Sequence, residues 1–123
     1  MTQKYSLLLI EDNPSHMELM LEHLPNELFT IDTAMTKAEA LDKAMRKDYD
    51  LISIDYYLPD GTGLEVFTSI HDRNPKQKMI MVTAADDPEI SFAVMKGGAL
   101  DFIFKSFKFY TELKQRIIEN LEE

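Results

Sequence analysis

The chain has 123 residues, 45% of them hydrophobic, which suits one domain with a single core. Thirteen Lys plus Arg stand against 22 Asp plus Glu, a net charge of −9 that would repel a phosphate backbone, so direct nucleic-acid binding by these residues is not expected. There is no cysteine, hence no disulfide or thiolate metal site, and the longest apolar run, "LLLI", is too short to cross a membrane. A soluble, cytoplasmic protein with no membrane contact is the expectation, since "MTQKY" also lacks a signal-peptide pattern.

The elements follow in chain order. "YSLLLI" (5–10) is a nearly continuous apolar run and reads as a strand buried on both faces, as in a parallel sheet. Asn13 and Pro14 give an N-cap and a first-turn proline, and Met17, Met20, Leu21 and Leu24 form a helical stripe. "LFTIDT" (28–33) is a weaker strand. Thr36 and Glu39 make a capping-box pattern ahead of Ala38, Leu41 and Met45. "LISI" (51–54) is the next strand, and after "PDGTG" the residues Leu64, Phe67 and Ile70 mark a helix. "MIMV" (79–82) leads to a helix opened by "DDPE" (86–89) and closed by Gly97-Gly98. "FIF" (102–104) is the last strand, and Tyr110, Leu113, Ile117 and Leu121 mark the last helix. Five strands alternating with five helices predict a doubly wound α/β sandwich with helices on both faces.

In open parallel sheets the binding crevice lies beyond the carboxyl ends of the strands. The residues one step past the strong strands are Glu11 and Asp12, Asp55, Thr83, and Lys105. Each alone reads equally well as a cap, turn or snorkelling side chain. Together they are complementary: crowded carboxylates raise their own proton affinity unless a cation joins them, and an all-oxygen cluster suits Mg²⁺. Lys105, flanked by apolar residues in "FIFKSF", needs an anionic partner, because a buried ammonium whose pair is broken costs about 3–5 kcal/mol. His16, His23 and His71 read as surface residues away from the strand ends, and the eight methionines as core filler.

Four stretches in this order, "LLLIEDN", "LISIDYYLPDGTG", "MVTA" and "GGALDFIFK", resemble the receiver domain of two-component response regulators over essentially the whole chain. The resemblance implies a flavodoxin-like five-stranded parallel sheet of order 2-1-3-4-5, with residues 1–123 forming one receiver domain, alone or as the N-terminal part of a longer signalling protein. It implies that Asp55 accepts a phosphoryl group from a histidine kinase or phosphotransfer protein, that Glu11, Asp12, Asp55 and the Tyr57 carbonyl hold Mg²⁺, and that Thr83 and Lys105 contact the phosphoryl oxygens. It further implies a switch in which Thr83 moves toward the phosphate and Phe102 turns inward, acting on the surface around the fourth and fifth helices, with homodimerisation on phosphorylation as one outcome. Tyr57 and Ala85, at the positions that tune phosphate loss, imply slow autodephosphorylation.

Where receivers usually carry proline after the lysine, this chain has Ser106, before which a cis bond would cost about 2.5–4 kcal/mol. The C-terminal stretch after it resembles receivers that precede PAS, kinase or similar output modules more than those that precede DNA-binding domains. Competing readings are a Mg-dependent phosphatase-like enzyme and a degenerate receiver that only docks proteins. The first expects a second aspartate two residues after the nucleophile, where Tyr57 stands. The second leaves the site residues free to vanish, yet all are present. A nucleotide- or flavin-binding module is a further rival, but no G-x-G-x-x-G or G-x-x-x-x-G-K-[ST] occurs. The expectation is a phosphoacceptor and not an enzyme with turnover.

Overall fold

The computed structural model describes residues 4–84 and 87–122; Ala85 and Asp86, and with them the expectation placed on Ala85, lie outside the described residues. Strands β1 (Tyr5–Ile10), β2 (Phe29–Ala34), β3 (Leu51–Asp55), β6 (Met79–Thr83) and β7 (Asp101–Phe104) form one sheet of order β2-β1-β3-β6-β7, every neighbouring pair parallel. Counting only these strands, the order is the expected 2-1-3-4-5. Two short strands, β4 (Tyr57–Leu58) and β5 (Gly61–Thr62), pair as an antiparallel hairpin directly after β3, which the sequence reading did not anticipate.

Period-two alternation sorts the core into two layers. Leu7, Leu9, Leu51, Ile80, Val82 and Ile103 pack with Met17 and Met20 of α1 (Pro14–Glu22), with Leu24 just beyond it, and with Phe109, Leu113 and Ile117 of α5 (Phe109–Leu121). Leu8, Ile10, Ile52, Ile54, Met79 and Met81 pack on the other face with Ala40 of α2 (Lys37–Arg46), Val66, Phe67 and Ile70 of α3 (Gly63–Arg73) and Val94 of α4 (Pro88–Lys96). Both faces of the central strands are buried, which is why their sequences are continuously apolar; β2, at the edge, alternates and reads more weakly.

Local signals set the helix starts. Asn13 Oδ1 accepts from the N–H groups of Ser15 (2.9 Å) and His16 (3.1 Å), so the chain turns into α1 immediately after Glu11-Asp12. Thr36 caps α2 as expected, but Glu39 reaches past it to the N–H of Met35 (2.8 Å), so the reciprocal box is incomplete there. The complete capping box lies at α3, between Thr62 and Glu65. Gly98 follows α4 with φ of +112°, a conformation glycine adopts without steric cost.

Candidate functional site

The strand order reverses between β1 and β3, so the crevice opens at their carboxyl ends. Alternation decides which side chains meet there. Glu11 continues the Leu7-Leu9 face, Asp55 the Leu51-Ser53 face, and Lys105 the Ile103 face, so all three face the α1/α5 layer. Thr83 continues the Met79-Met81 face toward α4, and Phe102, opposite Met81 in register and partly buried, packs on that same layer one diagonal step from Thr83.

The Lys105 ammonium lies 2.5 Å from Glu11 Oε1 and 3.3 Å from Asp55 Oδ2, with side-chain exposures of 6% for the lysine, 1% for Glu11 and 6% for Asp55. The buried ammonium thus has the anionic partners its setting demands, two rather than one. Lys105 is carried to them by its backbone N–H, which donates to the Thr83 carbonyl at 2.9 Å. Thr83 is fully buried. Asp12 is partly exposed at the rim, and carboxylate oxygens of Glu11, Asp12 and Asp55 lie within 4.8 Å of one another.

Three carboxylates against one ammonium leave the crevice acidic. Burial, with the neighbouring Glu11 carboxylate, pushes the Asp55 carboxyl up to about 7 against the pull of Lys105. A divalent cation bound by oxygen ligands would cancel that excess, and the donor set fits a hard cation such as Mg²⁺.

Tyr57, 56% exposed, opens the hairpin after Asp55 with its ring edge-on to Tyr56 at 5.0 Å, so it stands outside the core. The loop is held by Gly63, whose N–H donates to the Tyr56 carbonyl at 2.6 Å. A Cβ on Gly63 would sit 2.2 Å from the Asp55 carbonyl oxygen, so only glycine fits this approach. No cis peptide bond occurs among the described residues, so Lys105-Ser106 is trans. The loop closes through Ser106 N–H to the Phe104 carbonyl (2.8 Å) and enters α5 with Lys108 left-handed, φ 59°.

The histidine reading needs correction. His16, in the first turn of α1, places Nδ1 3.2 Å from the Lys105 ammonium, because side chains of a helix tilt toward its N-terminus and α1 starts at the crevice. Its ring meets Phe109 edge-on at 5.4 Å, and Phe109 lies 5.6 Å from Lys105 Nζ. Neither residue sits on the stripes read from the sequence. The missed signal was position, the first turn of helices bounding the crevice. His23 packs on Tyr110 at 4.4 Å and His71 stacks on Phe67 at 5.6 Å, both half-buried.

A doubly wound sheet with an acidic triad and a buried lysine at the switch point defines a phosphoacceptor-type signalling domain. The response regulator receiver domain family matches residues 7–118, and the chain belongs to that family. Over 110 residues it is 34% identical to the transcriptional regulatory protein CitT of Halalkalibacterium halodurans, covering 85% of this chain and 47% of that protein. The chain therefore spans about half the length of such curated relatives. A CheY-like receiver domain protein from Methanospirillum hungatei superposes with a TM-score of 0.90 at 28% identity, covering 98% of this chain and 95% of that one. The response regulator TrrA of Thermotoga maritima, solved in complex with Mg²⁺ and BeF, gives 0.82 at 33% identity, covering 95% and 98%. The expected fold and family are thereby established. Relatives such as CitT are named as transcriptional regulators, which does not favour the PAS or kinase output expected from the tail, and the expectation of no direct nucleic-acid binding rests on the charge of these 123 residues only. Among the described residues no helix is long and apolar enough to cross a membrane.

Proposed function

We propose that the chain is a single receiver domain whose Asp55 takes the phosphoryl group of a phosphohistidine on a histidine kinase or phosphotransfer protein. The observation that carries this reading is the contact of Lys105 with both Asp55 and Glu11 in a buried crevice. An ionised oxygen of Asp55 attacks phosphorus; the new O–P bond forms as the N–P bond breaks, and the departing imidazole keeps the electron pair. Such transfer passes through a loose transition state, so positioning and charge neutralisation do most of the work. Lys105 stays protonated throughout and meets the charge that develops on the phosphoryl oxygens. Glu11, Asp12 and Asp55, with the Tyr57 carbonyl, would hold Mg²⁺, which when bound draws Asp55 into its ionised form and neutralises phosphoryl charge. The complex of TrrA with Mg²⁺ and BeF supports the choice of metal.

Thr83 and Phe102 serve as the switch pair in this reading, supported by their shared face toward α4. The switched surface carries Phe92 and Met95 of α4 and Phe104 of β7, which expose 67%, 44% and 44% of their area. It would act on an output domain, separate or fused, or on a second copy. No catalytic turnover is assigned beyond self-phosphorylation and slow loss of the phosphate.

Beryllofluoride titration tests this reading. Wild type forms a one-to-one complex only with Mg²⁺, and D55N forms none. Equal binding by D55N, or binding without Mg²⁺, overturns it.

A further inference from the structure

Resting on that reading of Asp55 and Lys105, we propose that His16 is a positioning residue for the lysine, accepting a hydrogen bond from its ammonium through Nδ1. An ammonium has three N–H donors and no acceptor. Lys105 Nζ has three acceptors within reach, Glu11 Oε1 at 2.5 Å, His16 Nδ1 at 3.2 Å and Asp55 Oδ2 at 3.3 Å, so its donors are matched one to one. Because Lys105 can only donate, Nδ1 must carry a lone pair and His16 must be the Nε2–H tautomer.

The three acceptors differ in what the reaction asks of them. Glu11 and Asp55 are the groups that metal and phosphoryl would engage. His16 is outside that set and keeps its hold on Lys105 while the other two are drawn elsewhere. Its own placement is fixed from two sides: its backbone N–H donates to the Asn13 cap, and its ring packs edge-on against Phe109, which also offers a π-face near the ammonium. His16 lines a surface cavity of 260 Å³ with Leu19, Ser106, Lys108 and Tyr110. The charged or titratable groups around it are Lys105 with Glu11 and Asp55 behind, and Lys108 and Tyr110 across the cavity.

The test combines two measurements on the full chain. Ring ¹⁵N spectra should show Nδ1 of His16 unprotonated in wild type and perturbed by Lys105→Met; an Nδ1–H tautomer overturns the proposal. Labelling rates with acetyl phosphate and Mg²⁺ are compared for wild type, H16N, whose amide oxygen can replace Nδ1, and H16L, which has no acceptor. H16L should label about tenfold more slowly at alkaline pH, the order of one hydrogen bond to a charged group. H16N should stay near wild type there. Equal rates for H16L and wild type, or an H16N rate as low as that of H16L, overturn the proposal. Absence of any labelling of wild type at Asp55 would instead remove the proposed function, while the tautomer still decides the contact.

Discussion

Lys105 is closer to Glu11 than to Asp55, 2.5 Å against 3.3 Å. The lysine is thus anchored mainly by a side chain other than the proposed phosphoacceptor. Replacing the lysine with a neutral side chain leaves two buried carboxylates facing each other without a cation. Lys105→Met should cost roughly 3 kcal/mol of metal-free stability at about pH 8, less at about pH 5, and should abolish labelling of Asp55. Urea denaturation with and without Mg²⁺ checks the first part.

Asp55 sets a pH dependence whose sign follows from its raised value. A carboxyl raised from 3.8 to about 7 binds its proton more tightly folded than unfolded. Its contribution to stability is complete below the ordinary value and is lost as pH rises through about 7. Asp32 is held low first by the Tyr49 hydroxyl, Asp60 by the Lys37 backbone N–H and Glu65 by the Thr62 backbone N–H; these lose stability only as pH falls into the acid range. Between about pH 5 and 8 the metal-free Tm should therefore fall, with a smaller fall in D55N and in excess Mg²⁺. A wild-type profile unchanged by either would contradict the assigned cause.

Gly63 gives a steric prediction. A Cβ there meets backbone atoms of Asp55 at 2.2 and 2.9 Å, which cannot move without displacing the phosphoacceptor strand. At Gly61 the nearest atom is Cδ of the flexible Lys37 side chain, at 2.7 Å. Gly63→Ala should lose about 1–3 kcal/mol and slow labelling of Asp55, whereas Gly61→Ala should change both little. Thermal melts and labelling rates on the pair separate the two.

At the far end of the sheet, Gln77 is buried and ties two segments together. Its Oε1 accepts from the Tyr49 N–H at 3.1 Å, and its Nε2 donates to the Tyr49 and Lys78 carbonyls at 2.7 and 3.1 Å. Gln77→Leu removes the side-chain partner of the Tyr49 N–H and carbonyl, while the Lys78 carbonyl keeps the Ile52 N–H, and should cost about 2 kcal/mol without altering the labelling rate. Denaturation together with labelling checks that this network supports the fold and not the site.

The sheet was legible because strands buried on both faces are written as unbroken apolar runs, and the crevice because the ends of the four strong strands carry polar residues of complementary chemistry. Glu11, Asp55 and Lys105 could be placed in one site from position alone. The β4-β5 hairpin escaped, being two residues a side and set by the turn around Pro59-Asp60-Gly61 rather than by periodicity. Leu21, counted in the α1 stripe, is 39% exposed, while Phe109, passed over in favour of Tyr110, is buried. His16 escaped for a related reason: helical periodicity reports which residues face the core, not which first-turn side chain reaches back over the crevice.

The most direct measurement is the mass of the protein and its peptides after incubation with acetyl phosphate. One phosphoryl group on the peptide carrying Asp55, formed only with Mg²⁺ and absent in D55N, is the predicted result. An unmodified protein, or a group retained when Asp55 is replaced, would contradict the account.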